Sequence, residues 1–124
     1  MRNEGKISPD QFIRIEEWII NKGYRDNIPG HVLTVKLHVS QEALNQYCRK
    51  YFNLTFKETI CRLKVLDAMD IMVREPEIPT GSIRLIVGIS DRSNLRKAFL
   101  KYSGLTPLQW KDAITGKASA SERL

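Results

Sequence analysis

The sequence predicts an all-α fold: two helix-turn-helix units joined by one long helix. Three observations predict it. Tyr51-Phe52-Asn53-Leu54-Thr55-Phe56 is echoed 51 residues later by Tyr102-Ser103-Gly104-Leu105-Thr106-Pro107, and Ile28-Pro29 returns as Ile78-Pro79 after 50. Such self-similarity marks a duplicated supersecondary unit. Upstream of each echo lie a short apolar helix pattern, a turn at Val39-Ser40 or Ile89-Ser90, and a second amphipathic helix. That order is the layout of a helix-turn-helix. Finally, the breaks between patterns fall on helix start and stop signals.

The first helix opens at Ser8. Ser8-Pro9-Asp10-Gln11 reads as a capping box, with proline at the first helical position. Phe12, Ile15, Trp18 and Ile19 give it an inward stripe, and Gly23 is expected to stop it near Lys22. The next helix, about His31 to Leu37, is poor by propensity, because Val32, Thr34 and Val35 are β-branched. Its repeat mate, about Ser82 to Val87, makes the stronger case. His38 and Gly88 occupy matching turn positions that suit a left-handed residue.

Ser40 caps a helix to about Tyr51, with Leu44, Tyr47, Cys48 and Tyr51 on one face and Glu42, Asn45, Gln46 and Arg49 on another. Asn53 and Gly104 suit left-handed C-caps. Thr55 to Glu58 is a second capping box, opening a helix to about Arg74 that spans roughly 30 Å. In the second unit Leu95, Ala98, Phe99 and Tyr102 face inward, and Arg92 is expected in the turn before the helix, which is one residue longer here. Thr106 to Gln109 caps a last helix, with Trp110 on its buried side. The expected organisation is a first unit over 8–54, a joining helix over 55–74, a second unit over 75–115 and an irregular tail over 116–124.

Composition is ordinary for a globular chain of 124 residues, with 42% apolar and 27% charged residues and a net charge of +6. The placement of the charge is more telling than its size. Residues 91–111 carry Arg92, Arg96, Lys97, Lys101 and Lys111 against Asp91 alone. Residues 41–64 carry Arg49, Lys50, Lys57, Arg62 and Lys64 against Glu42 and Glu58. Positive charge gathered on the second helix of each repeat is the footprint of phosphate contact, and two such units fit a chain that reads DNA without dimerising.

Other chemistries find little support. No apolar run approaches a membrane span, and residues 1–6 carry no apolar export stretch. Cys48 and Cys61 lack metal or redox spacing, so a reducing cytoplasm is the expected compartment. His31 and His38 have no ligand cluster around them. Cys48 takes the place of Phe99 in the repeat and reads as a packing residue. No phosphate loop, cofactor motif or catalytic constellation appears, and the chain does not read as an enzyme.

From Ile83 to Lys111 the pattern Ile-x-x-x-Val-Gly-Ile-Ser-Asp-x-Ser-Asn-Leu-x-Lys-Ala-Phe-x-Lys-Tyr-x-Gly-Leu-Thr-Pro-x-x-Trp-Lys resembles the second half of the AraC/XylS-type transcriptional regulator DNA-binding domain. Leu33 to Phe56 resembles its first half, with Val39-Ser40, Leu44, Arg49-Lys50 and Thr55-Phe56 in register, and Ile60, Leu63, Lys64 and Ala68 match its linking helix. The resemblance covers roughly 8 to 113. The chain departs from the family pattern at Thr34 and Arg84, where alanine is usual, at Ile89 and Leu95, where aromatics are usual, and at Gly30 and His31. The resemblance implies a bacterial regulator with two homeodomain-like helix-turn-helix subdomains. Their second helices, 41–51 and 91–102, would enter successive major-groove segments on one DNA face, about 34 Å apart. It leaves open whether the chain stands alone or is the output half of a regulator with an upstream ligand-binding domain.

Base edges are read by bidentate side chains, and phosphates by cations. Asn45, Gln46 and Arg49 are the base-reading candidates of the first unit, and Arg92, Arg96 and Lys97 those of the second. Lys50, Lys57, Lys64, Ser93 and Lys101 are phosphate candidates. Each has a plainer reading as part of a solvated helix face. Glu42 fits the helix dipole better than a cytosine. The expected partner is double-stranded DNA. The alternative is a divergent module that works through RNA polymerase or another regulator, motivated by Glu42 and the first unit's departures.

Overall fold

The computed structural model describes residues 8–116, and every regular element among them is helical. In chain order these are α1 (Pro9–Ile20), a single 3-10 turn (Gly23–Asp26), α2 (Gly30–Leu37), α3 (Gln41–Phe52), α4 (Phe56–Arg74), α5 (Thr80–Val87), α6 (Arg92–Ser103) and α7 (Pro107–Thr115). The chain divides into two compact units, Met1–Ile60 and Cys61–Leu124. The division falls inside α4. Of the expected irregular tail, residues 117–124 lie outside the described residues.

In the first unit α1 packs on α2 and α3. Ile15, Trp18, Tyr24, Leu33, Val39, Ala43, Leu44, Tyr47 and Cys48 are buried. Burying one such large apolar side chain contributes about 1.5–3 kcal/mol. Phe56, at the start of α4, stacks on Trp18 with ring centroids 6.4 Å apart. The Thr55 box is present in both halves: Thr55 Oγ1 accepts from Glu58 N, and Glu58 Oε1 accepts from Thr55 N.

The start of α1 differs from expectation. Ser8 is the N-cap, but its side chain makes no capping bond. Gln11 turns outward instead, and its Oε1 accepts from the backbone N of Ser40 at 2.9 Å. The glutamine therefore ties α1 to the start of α3 rather than closing its own helix. The end of α1 differs too. The helix stops at Ile20, and Lys22 takes the left-handed conformation at φ 61°. Gly23 is required for packing instead, because a Cβ there would overlap the Trp18 indole. Tyr51 also departs from its expected inward face, being 55% exposed.

The second unit is built around Val65, Ala68, Ile71 and Met72 of α4, Ile83 and Val87 of α5, Ile89, and Leu95, Ala98 and Phe99 of α6. Tyr102 and Trp110 pack against this cluster. The Thr106–Gln109 box closes α7 as expected.

The two turns repeat one backbone solution. His38 (φ 56°) and Gly88 (φ 83°) are both left-handed. The following N–H reaches back five residues, Val39 N to Thr34 O and Ile89 N to Arg84 O, both at 3.0 Å. This is the Schellman closure, which satisfies the last carbonyls of a helix while turning the chain. Asn53 (φ 57°) and Gly104 (φ 77°) end α3 and α6 in the same left-handed state.

Candidate nucleic-acid interface

Cations brace both turns. In the first unit Arg14 Nε donates to Leu37 O at 2.8 Å and its Nη2 to His38 O at 2.9 Å. In the second, Arg84 Nη1 donates to Ile89 O at 3.0 Å and Ser90 O at 2.8 Å. Lys64 Nζ adds a bond to Gly88 O at 2.8 Å. These carbonyls lie at or just after the C-termini of α2 and α5, where positive charge is favourable. Each reading-helix candidate thus leaves a turn whose backbone is fixed.

Lys64 therefore departs from its expected place on the phosphate surface. It is buried, and its ammonium points into the turn. Burial pulls its pKa below the ordinary lysine value, against an opposing effect of Cys61. The charge-assisted bond to Gly88 O offsets part of that desolvation.

α3 begins at Gln41, where Ser40 Oγ accepts from Ala43 N at 3.0 Å. Gln41, Glu42, Asn45 and Arg49 are exposed, and Gln46 is half-buried. Two hydrogen bonds run along this face. Gln41 Nε2 donates to Asn45 Oδ1, and Gln46 Nε2 donates to Glu42 Oε2, both at 3.3 Å. Asn45 and Gln46 are thus each tied to the residue one turn earlier. The opposite face is buried through Ala43, Leu44, Tyr47 and Cys48. Burial pushes the Tyr47 hydroxyl up, with Glu16, Tyr51 and Cys48 adding to the shift.

α6 begins at Arg92, 51 residues after Gln41 begins α3. Asp91 is its N-cap, and Asp91 Oδ1 accepts from Asn94 N at 2.8 Å. The serine matching Ser40 is Ser90, which instead accepts from Asn94 Nδ2 at 2.8 Å. The one-residue step between the two turns is this change of cap. It makes Arg92 the first residue of α6, not a residue of the preceding turn. Arg92, Ser93, Arg96 and Lys97 are all exposed, while Leu95, Ala98 and Phe99 are buried. Among the described residues neither the Arg92 nor the Arg96 guanidinium has a hydrogen bond or ion pair.

The phosphate candidates are placed unevenly. Lys50 Nζ lies 5.3 Å from the Tyr51 ring centroid and 5.9 Å from that of Phe12. Lys101, its repeat mate, lies 5.4 Å from the Tyr102 centroid. Such cation–aromatic contacts hold an ammonium near the surface without neutralising it. Lys57 and Ser93 are exposed. Gln41, Asn94 and the bracing pair Arg14 and Arg84 were not among the sequence candidates. For Gln41 the i, i+4 spacing to Asn45 was the available signal.

A family model described as a helix-turn-helix domain matches residues 33–113, from α2 through most of α7. The chain belongs to the helix-turn-helix family, of the AraC type. It is a DNA-binding domain of a transcriptional regulator. The chain is similar to the Msm operon regulatory protein of Streptococcus mutans serotype c, at 26% identity over 111 residues, covering 90% of this chain and 40% of that protein. It thus spans about two-fifths of the length of that curated relative. The fold is shared with the C-terminal domain of AraT, a response regulator from Geobacillus stearothermophilus. That match has a TM-score of 0.71 and 19% identity, and it covers 87% of this chain and 88% of the other. No helix among the described residues is long and apolar enough to cross a membrane.

Proposed function

We propose that α3 and α6 are the two reading helices of this AraC-type domain and that they enter successive major-groove segments of one operator. The observation that carries the reading is the α6 face: Arg92, Ser93, Arg96 and Lys97 are exposed together behind a capped helix start and a braced turn. Bidentate guanidinium-to-guanine contact is the commonest specific contact in the major groove. In this reading Arg96 takes a guanine with its guanidinium and Lys97 takes one with its ammonium. Arg92, at the first position of α6, is the third base-reading candidate of this helix. In α3 the readers are Asn45, Gln46 and Arg49, with amides suited to adenine. Lys50, Lys57, Ser93 and Lys101 serve phosphates, and Lys64 does not.

The relative named as an operon regulatory protein supports a role at an operon's control region. Because this chain matches only part of that protein, an effector-binding domain elsewhere in the full regulator and a contact with RNA polymerase belong to the same proposal. So does a cytoplasmic location, where operator DNA is found.

Selection from a random duplex pool, followed by anisotropy on the selected site, tests the reading. Arg96→Ala is expected to lose about 1–3 kcal/mol at that site and to relax one base position. Unchanged affinity and unchanged base preference would remove α6 from the reading role.

A further inference from the structure

The first unit carries a concavity that takes no part in the proposed DNA reading. Its volume is about 470 Å³, and its walls come from the second half of α1, the 3-10 turn and the end of α2. Small-molecule sites commonly fall between about 300 and 1,000 Å³. The charged wall residues are Arg14 and Glu17 of α1, Asp26 of the turn and Lys36 of α2. The Arg14 guanidinium is committed to Leu37 O and His38 O. Glu17, Asp26 and Lys36 are exposed, and none of them has a hydrogen bond or ion pair among the described residues. Two carboxylates and an ammonium therefore share one concavity without pairing with each other.

Trp18 adds a further unpaired group. It is 8% exposed and lines the same concavity, and its Nε1 is buried with no partner. An indole N–H can only donate, and a buried donor without an acceptor is rare in folded proteins. Nε1 lies against Gly23, another wall residue, where a Cβ would overlap it. Glycine thus leaves that edge of the indole uncovered by a side chain.

These groups define their complement. An anionic acceptor answers Lys36 and the Trp18 N–H, and two cationic donors answer Glu17 and Asp26. An α-amino acid with a basic side chain supplies all of them: a carboxylate, an ammonium beside it, and a second cation on an apolar stem. Leu37 gives the concavity an apolar wall for that stem.

We propose that this concavity binds a free basic α-amino acid, of the arginine or lysine type. The ligand carboxylate accepts from the Trp18 N–H and the Lys36 ammonium. Its α-ammonium donates to Glu17, and its distal cation donates to Asp26. The ligand lies against Arg14, which braces the turn into α3, so the DNA-binding domain carries a sensing site of its own. The site does not depend on α3 being a reading helix, and its test needs no DNA.

The test titrates the isotope-labelled full chain with L-lysine and L-arginine and reads the two indole N–H resonances by NMR. Trp18 and Trp110 are the two tryptophans, and Trp110→Phe assigns them. Trp110 belongs to the second unit and serves as the internal control. Both amino acids are expected to move the Trp18 resonance saturably and to leave that of Trp110 in place. Norleucine lacks the distal cation of lysine, and cadaverine lacks its carboxylate; each is expected to bind about tenfold more weakly than L-lysine. Asp26→Asn and Lys36→Gln change exposed, unbonded side chains, and circular dichroism checks that the fold persists. Asp26→Asn is expected to weaken L-lysine about tenfold and norleucine less than twofold. Lys36→Gln is expected to weaken L-lysine about tenfold and cadaverine less than twofold. No saturable Trp18 shift at millimolar L-lysine or L-arginine would overturn the site. So would Trp18 and Trp110 moving together, the mark of non-specific charge binding. Norleucine or cadaverine bound as tightly as L-lysine would overturn the basic amino-acid assignment. Affinity for L-lysine unchanged in both variants would overturn the contacts given to Asp26 and Lys36.

Discussion

Single residues here do work that their types do not announce. Gly23 gives no left-handed turn; it leaves room for the Trp18 indole, which is buried against it. Trp18 cannot swing away without opening the first unit's core, so Gly23→Ala is expected to cost about 1–3 kcal/mol by overpacking, read as a lower urea midpoint. Stability equal to wild type would contradict that packing. Lys64 is a surface lysine by composition and a turn brace by position. Lys64→Met should leave the salt dependence of DNA binding unchanged, whereas Lys101→Gln lowers the slope by about one. A lowered slope for Lys64→Met would return its charge to the DNA-facing surface. Cys48, 2% exposed, has its thiol pushed up by burial against a smaller opposing hydrogen bond from Thr59. It fills the place of Phe99 as a packing residue.

At the scale of elements, the repeat is a repeat of turns. Both α3 and α6 follow a left-handed residue and a Schellman closure, and both turns are braced by an arginine from the unit's own helices. The units differ in their buried titratable groups, and that difference sets opposite alkaline responses. In the first unit Cys48 and Tyr47 have raised pKa values, so the folded state holds more protons than the unfolded chain above the ordinary values of 9.0 and 10.0. Its stability is complete below about pH 9 and falls as pH rises. In the second unit Lys64 is lowered from 10.5, so the folded state holds fewer protons just below that pH, and stability rises toward it. Each unit has one tryptophan, Trp18 or Trp110. Urea melts of Trp110→Phe and Trp18→Phe report the units separately. Between pH 8 and about pH 10 the Trp18 signal should move to lower urea and the Trp110 signal should not. The reverse order would contradict the assignment of these groups.

What was legible follows from the range of the interactions. Helix starts at Thr55 and Thr106 and left-handed ends at His38, Asn53, Gly88 and Gly104 depend on neighbouring residues, so the sequence displays them. The bond from Ser40 N to Gln11 and the braces from Arg14, Lys64 and Arg84 depend on which side chains meet after folding. A glutamine three residues after a serine looks the same whether it closes its own helix or another. The start of α6 was hidden by the likeness of Ser90 to Ser40, although the cap is Asp91. The amphipathic faces of α3 and α6 were readable because helical periodicity separates Leu44 and Leu95 from Asn45 and Arg96.

For the whole molecule, the central claim is that one chain of AraC type reads two groove segments of a single site, one with α3 and one with α6. That claim goes beyond the family assignment, because a domain with one working reader would match the same family. Phase along the DNA decides it. Two helices carried by one chain can engage together only when their segments face the same side of the duplex, about one helical turn apart. The measurement is the affinity for the selected site against the same site with five base pairs inserted between its two segments. The two-reader account predicts a loss of at least about tenfold on insertion. Equal affinity for the selected and half-turn-shifted sites would contradict it and leave a single reading helix.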